Sequence, residues 1–429
     1  MFKTLANAWK LPDLRKKIIF TLCMLAVFQL GTVIPVPGID KEGLQSILGL
    51  GGENGGNIFG LLNMISGNSL GNASIFALSI TPYVTASIII QLLAVAIPAL
   101  ERMSREEGGK ELVAKWTRYG TVILAFIQAA SIYVGLQNGK FVKGGAIDFF
   151  TVVISLTAGT AFLMWLGEKI TENGVGNGIS MLIFAGIVGG LGQTIMSFYG
   201  VVVNSNGDVN FLALALIILV VLAIVTFVVL INSAERRIPV QYAKRVVGRK
   251  MYGGQSSNIP FKVAMAGVIP VIFASSLLSF PQTMVQLFGG GQMPGGFWGK
   301  LLGIFTYGSP VYTVLYFLLI LFFSFFYTAM IFNPIEMSNN IKNNGGFIPG
   351  IRPGRPTTDY ITKVMNRVTT IGSVCIALIA VIPMLFAKSL NASMSFSGTS
   401  IIILVGVAIE TYRQIESQMM MRHYKGFLD

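Results

Sequence analysis

Few residues in this chain are equipped for acid–base, nucleophilic or metal chemistry. Of 429 residues only one is a histidine, His423, six residues before the last. The two cysteines, Cys23 and Cys375, each sit inside an apolar run. Two isolated thiols give neither a disulfide framework nor metal-ligand spacing, and they read as small packing residues. No G-x-x-x-x-G-K-[ST] motif occurs, so there is no phosphate cradle of the P-loop kind. Catalytic residues, a metal site and a cofactor are therefore not expected. Any work the chain does must be powered by a partner, by a gradient or by the molecule that passes through it.

The elements that could hold a site are membrane helices. Hydrophobic residues make up 53% of the chain and charged residues 11%, against roughly 25% charged in ordinary soluble domains. A span needs about 20 mostly apolar residues. Ten such segments are expected, at 18–37, 73–95, 117–136, 149–167, 178–198, 211–231, 263–286, 308–332, 368–387 and 398–412. The first follows Arg15, Lys16 and Lys17 as a signal peptide would. It lacks a small-x-small cleavage site, however, and is expected to be a retained helix. With the N-terminus inside, 26 of the 31 basic residues fall on cytosolic segments, as the positive-inside rule requires. This places both termini in the cytosol.

Ion- and proton-coupled transporters usually keep ionisable groups at mid-depth. Here the deepest, Glu410, falls in the last turn of the tenth span. The polar residues inside spans are mild: Thr85, Gln91, Gln128, Ser275, Ser276 and Ser324. Three further features stand out. An outer segment at 57–67 is too short to span, is flanked by glycines, and places Ile58, Leu61, Leu62 and Ile65 on one helix face. This suits a re-entrant stopper, or an interfacial helix resting on lipid. Two cytosolic loops, 232–262 and 333–367, are long for a helix bundle and basic, which suits docking of a large anionic or acidic surface. Finally, Pro82 in the second span and Pro270 and Pro281 in the seventh are expected to bend those spans.

The stretches PVPGID (35–40), SIFALSITPYVTASIIIQLL (74–93), TRYGT (117–121), GEKITENGVGNGIS (167–180), AGVIPVIFASSLLSFP (266–281) and NPIEMSNNIKNNGGFIPGIRPG (333–354) run through nearly the whole chain in order. Together they resemble the SecY family, the central subunit of the bacterial protein-conducting channel. The resemblance implies an all-α polytopic membrane protein, with ten spans in two inverted, pseudo-symmetric five-helix halves around an hourglass pore. The implied divisions are a cytosolic amphipathic segment at 1–17, halves at 18–200 and 201–412, and a cytosolic tail at 413–429.

It also implies residue roles. A pore ring maps to Ile80, Val84, Ile179, Ile183, Ile272 and Ile403. A plug maps to Asn57, Ile58, Phe59, Leu61, Leu62, Met64 and Ile65. A lateral gate between spans two and seven maps to Thr85, Gln91, Ser275, Ser276 and Phe280, and docking residues to Arg237, Lys244, Arg245, Arg249 and Arg352. The implied partners are SecE and SecG in a heterotrimer, the SecA ATPase, the ribosome, secretory preproteins with their signal sequences, SecDF and YidC, and the lipid of a bacterial plasma membrane.

Two rival classes fit less well. A small-solute transporter shares inverted halves and broken helices but requires a compact polar site at mid-membrane. An intramembrane enzyme requires a catalytic constellation that the residue inventory does not supply.

Overall fold

A computed structural model describes residues 9–39, 69–106, 108–138, 142, 145–202, 211–242, 245–247, 250–252, 256–288, 309–389 and 398–425. Each of the ten expected apolar segments carries a helix. The first half supplies α1 (Pro12–Gly31), α2 (Thr81–Ala96), α4 (Gly109–Asn138), α5 (Ala146–Asn173) and α6 (Gly178–Val202), with the short α3 (Pro98–Arg105) between α2 and α4. The second half supplies α7 (Phe211–Ser233), α8 (Ile269–Phe288), α9 (Pro310–Ile331), α11 (Arg355–Ser389) and α12 (Gly398–Lys425), with α10 (Pro334–Asn343) between α9 and α11.

The helix α2 has 16 residues, or about 24 Å at 1.5 Å per residue, less than the roughly 30 Å of hydrocarbon it must cross. The missing part is residues 69–80, which are buried but not helical. Irregular backbone at membrane depth is tolerated only inside protein, because unpaired backbone groups are costly in lipid. Here several of the groups are paired: Ser74 N donates to Ser69 O at 2.8 Å, Ile75 N to Ile34 O at 3.1 Å and Val36 N to Ala73 O at 2.8 Å. Phe76 extends over Gly31 into a stack with Phe28 and Phe162, both ring centroids at 6.0 Å. The seventh span is built alike, with residues 263–268 in turns ahead of α8.

This corrects one expectation. Pro82 and Pro270 do not bend their spans. Each is the second residue of its helix, where the absent N–H would have had no helical partner. Only Pro281 lies inside α8.

Within the first half α4 packs on α2 and α5, and α5 on α6 and α1. Within the second, α9 packs on α8 and α11, and α12 on α7 and α11. The halves meet along two lines, α8 against α2 and α4, and α6 against α12 and α7. The α5–α6 turn adds a further contact. Its buried Val175 donates from its backbone N to Thr21 Oγ1 of α1 at 3.0 Å and packs with Ile415 of α12. Large apolar side chains such as Ile147, Phe150, Ile154 and Leu222 face outward, as lipid contact requires.

The two long basic loops carry regular structure of their own. The first folds as strands β1 (Glu235–Tyr242), β2 (Arg245–Val247), β3 (Lys250–Tyr252) and β4 (Ser256–Lys262). The second contains α10, the short strand β5 (Gly346–Phe347) and the start of α11. A three-stranded antiparallel sheet, ordered β4-β1-β5, joins the loops, with Ile238 opposite Ile259 and Gln241 opposite Phe347. Its inner face packs Ile238, Val240 and Phe261 against Ile341, Ile348 and Ile361.

Candidate functional site

The expected ring residues lie on four helices. Ile80 caps the N-terminus of α2, and its carbonyl accepts the Val84 amide at 3.1 Å. Ile179 and Ile183 are one turn apart on α6, Ile272 lies in the first turn of α8, and Ile403 lies in α12. Ile80, Val84, Ile183 and Ile403 are all at most 5% exposed and belong to one apolar cluster, with half-buried Ile179 and Ile272 packed against it. The cluster draws on both halves through the α2–α8 and α6–α12 contacts. None of the six side chains can ionise or donate a hydrogen bond. Among the described residues there is no cluster of His, Cys, Asp or Glu that could hold a metal.

Beside this cluster runs the α2–α8 seam. Its polar residues bond within their own helices. Thr85 Oγ1 donates to Thr81 O at 3.0 Å, Gln91 Nε2 to Ser87 Oγ at 2.9 Å and Ser275 Oγ to Ile272 O at 2.9 Å. Ser276 is buried, and its carbonyl accepts from Ser279 Oγ at 2.9 Å. The Gln91 Oε1 is buried without a partner. Phe280 lies in α8. On the far side, Phe273 of α8 meets Phe323 and Tyr327 of α9 edge-on at 5.7 and 6.2 Å. An apolar seam with local polar bonds can part without stranding broken interhelical hydrogen bonds.

The other expected residues fall unevenly. Arg237 is exposed on β1, where its Nε donates to Glu235 Oε1 at 2.6 Å. Arg352 is exposed in the second loop, and its carbonyl accepts from Thr357 Oγ1 at 2.9 Å. Both therefore sit on parts of one platform. Arg245 starts β2, opposite Tyr252. Lys244 and Arg249 lie outside the described residues, as does the whole expected stopper: Asn57, Ile58, Phe59, Leu61, Leu62, Met64 and Ile65. Between α4 and α5, Arg118 Nε donates to Glu168 Oε1 at 2.9 Å. Lys169 Nζ donates to Glu172 Oε2 at 2.7 Å, which holds the exposed Glu172 carboxyl below its usual range.

The sheet joining the two loops was not anticipated. Its signal is the alternation in ERRIPVQY, where Ile238 and Val240 are buried and their neighbours Arg237, Pro239 and Gln241 exposed.

Comparison with known proteins places this geometry. A family model described as SecY matches residues 74–412. The chain belongs to the SecY family. It is 45% identical to the protein translocase subunit SecY of Halalkalibacterium halodurans over 438 residues, covering 100% of both chains. It is also 45% identical to that of Escherichia coli K12, covering 97% of this chain and 94% of the relative. Among solved structures it resembles one described as a protein-conducting channel, with TM-score 0.68, 19% identity and 97% coverage of each chain. It also resembles Sec61 in a canine ribosome–channel complex, with TM-score 0.64, 17% identity and 97% coverage of each. This SecY-family chain is thus a protein translocase subunit with the fold of a protein-conducting channel, ten membrane helices in two related halves.

Proposed function

We propose that polypeptides cross through the apolar waist formed by Ile80, Val84, Ile179, Ile183, Ile272 and Ile403, and that signal sequences leave sideways through the α2–α8 seam. The observation that carries this reading is that those six aliphatic residues, none of them ionisable, come from four helices and both halves and belong to or pack against one apolar cluster. An unfolded chain cannot cross lipid with its backbone unpaired. A dry aliphatic constriction excludes water and ions when idle and has no chemical preference among the side chains that pass. An apolar segment gains about 0.3 to 0.6 kcal/mol per central Leu, Ile, Phe or Val on entering lipid. Signal binding shifts the closed–open balance by its greater affinity for the parted seam.

The segment 57–67 acts as the plug on the outer side. This agrees with a related solved structure, 20% identical, whose description says that the plug domain stabilises the closed state. The chain itself supplies no energy. SecA or a ribosome docks on the basic platform through Arg237, Lys244, Arg245, Arg249 and Arg352 and drives transport. SecE and SecG complete a heterotrimer in the bacterial plasma membrane, with SecDF and YidC as further partners and both termini cytosolic. The halves divide near residue 200, with 1–17 and 413–429 as cytosolic ends.

The test is photocrosslinking from a signal sequence engaged with the complex in proteoliposomes. Adducts on α2 and α8 are expected. Adducts confined to outward faces such as that of Ile147 on α5 would overturn the seam.

A further inference from the structure

The lead-ins to α2 and α8 repeat one another residue by residue. Ile75 lies six residues before Thr81, the first residue of α2, and Val263 six before Ile269, the first residue of α8. In this register Pro82 matches Pro270, and Val84 matches Ile272. The hydrogen bonds match as well. Ile75 N donates to Ile34 O, in the chain that follows α1, at 3.1 Å, and Val263 N donates to Ala234 O, in the chain that follows α7, at 2.9 Å. Ser79 N donates to Phe76 O at 2.8 Å, as Gly267 N does to Ala264 O at 3.2 Å. Both Ser79 and Gly267 are in the left-handed region, with φ of 53° and 59°, a conformation uncommon for a residue other than glycine.

Each lead-in also presses a carbonyl onto a helical glycine. A Cβ added to Gly159, on the fourth span (α5), would lie 2.2 Å from the Ile75 carbonyl oxygen. One added to Gly372, on the ninth span (α11), would lie 2.0 Å from that of Val263. The spans concerned are the fourth member of each half. The obstacle is backbone in both cases, so no side-chain rotation relieves it.

We propose that these are two matched bearings. The carbonyls of Ile75 and Val263 seated on Gly159 and Gly372, with left-handed turns at Ser79 and Gly267, fix the depth and rotation of the first turns of α2 and α8. They thereby set where Val84 and Ile272 stand in the waist. Gly159, Gly372, Ser79 and Gly267 are positioning residues. The inference rests on the reading of α2 and α8 as waist and gate helices. It adds that each is registered against its own half rather than across the seam, so the seam can open while the registration holds.

The test uses the complete channel complex in planar bilayers, scoring resting ion conductance per assembled channel and export of a precursor with a weakened signal sequence. Gly159→Ala and Gly372→Ala are each expected to raise both several-fold per assembled channel, beyond whatever melting temperature they lose. Gly267→Val, which places a β-branched residue at positive φ, should do the same. Ser79→Gly, which adopts that φ freely, should stay sealed. So should Gly192→Ala, where a Cβ meets nothing within 4 Å.

Sealing by both Gly159→Ala and Gly372→Ala as tight as wild type would overturn the bearings. Reduced yield or melting with unchanged conductance per channel would also overturn them, because that outcome is plain destabilisation. If the alanine variants do not assemble, amide exchange in the wild-type resting complex decides. The Ile75, Ser79, Val263 and Gly267 amides should exchange as slowly as the flanking helices, and fast exchange would overturn the proposal. Ile272→Gly separates the two readings. If it leaks while the glycine-socket variants seal, the bearings fail and the waist stands. If it seals as well, the waist reading is at fault.

Discussion

At the scale of single residues the account depends on aliphatic side chains doing what charged rings do in selective channels, by excluding water rather than by binding. Replacing Ile183 and Ile272 with Gly opens the cluster from both halves. It is expected to raise resting ion conductance at least several-fold, measured across a planar bilayer. Unchanged conductance would remove these residues from the seal. Core truncations of this size cost about 2–5 kcal/mol in soluble proteins, so the double variant is also expected to melt earlier. The identity of these residues came from motif resemblance. Nothing in the spacing of Ile80 and Val84 distinguishes a pore-facing pair from a lipid-facing one, since apolar residues are the rule on both faces of a membrane helix. That the six belong to or pack against one apolar cluster is a property of the assembled α2, α6, α8 and α12. Ile80 shows the limit of periodicity well, because it is the cap of α2 rather than a residue of its interior.

At the scale of elements, the spans were readable because long apolar runs have few alternatives in lipid. By length and composition, α5, the stretch holding α9, and α11 are long and apolar enough to cross a membrane. What sequence alone did not separate was helix from buried irregular backbone at 69–80 and 263–268, since both are apolar and lie within one hydrophobic run. Pro82 and Pro270 carried the correct signal, that something changes there. In physical terms they mark helix starts, where proline is well accommodated.

The cytosolic platform was missed for a different reason. Its strands are short, and β5 pairs with β1 across about a hundred residues of chain, a partner no local pattern identifies. Because one apolar core holds both loops, Ile238→Ala, at a site 1% exposed, is expected to loosen both. The expected loss is about 2–5 kcal/mol of local stability, seen as faster proteolysis of both loops and weaker motor- or ribosome-driven export with the resting seal intact. Charge reversal at Arg237 and Arg352 should impair the same export while leaving protease resistance unchanged. Normal export in both cases would leave the platform without a docking role. Deleting 57–67 should raise resting conductance in bursts, and a tight seal without it would remove that segment from gating.

At the scale of the whole molecule, the halves touch along two lines, and the contacts differ in kind. The α2–α8 line is mostly apolar, and Thr85, Ser275 and the Gln91 amide nitrogen bond within their own helices. The other line, α6 with α12 and α7, is joined at one end by Val175 and Ile415. Polar bonds that stay local to each helix suit a seam that opens toward lipid on the α2–α8 side, with the second line as its hinge. A covalent bridge between α2 and α8 is accordingly expected to block signal release. A bridge between α6 and α12 should leave release largely intact, with signal-sequence integration as the readout.

The most direct measurement is site-specific crosslinking of a stalled secretory chain to single cysteines placed at Ile80, Ile183, Ile272 and Ile403, with outward-facing Ile147 and Leu222 as comparison sites. The waist account predicts adducts at all four inner positions, from the same stretch of the stalled chain, and none at the outer two. Adducts at the outer positions with the inner four unlabelled would contradict it.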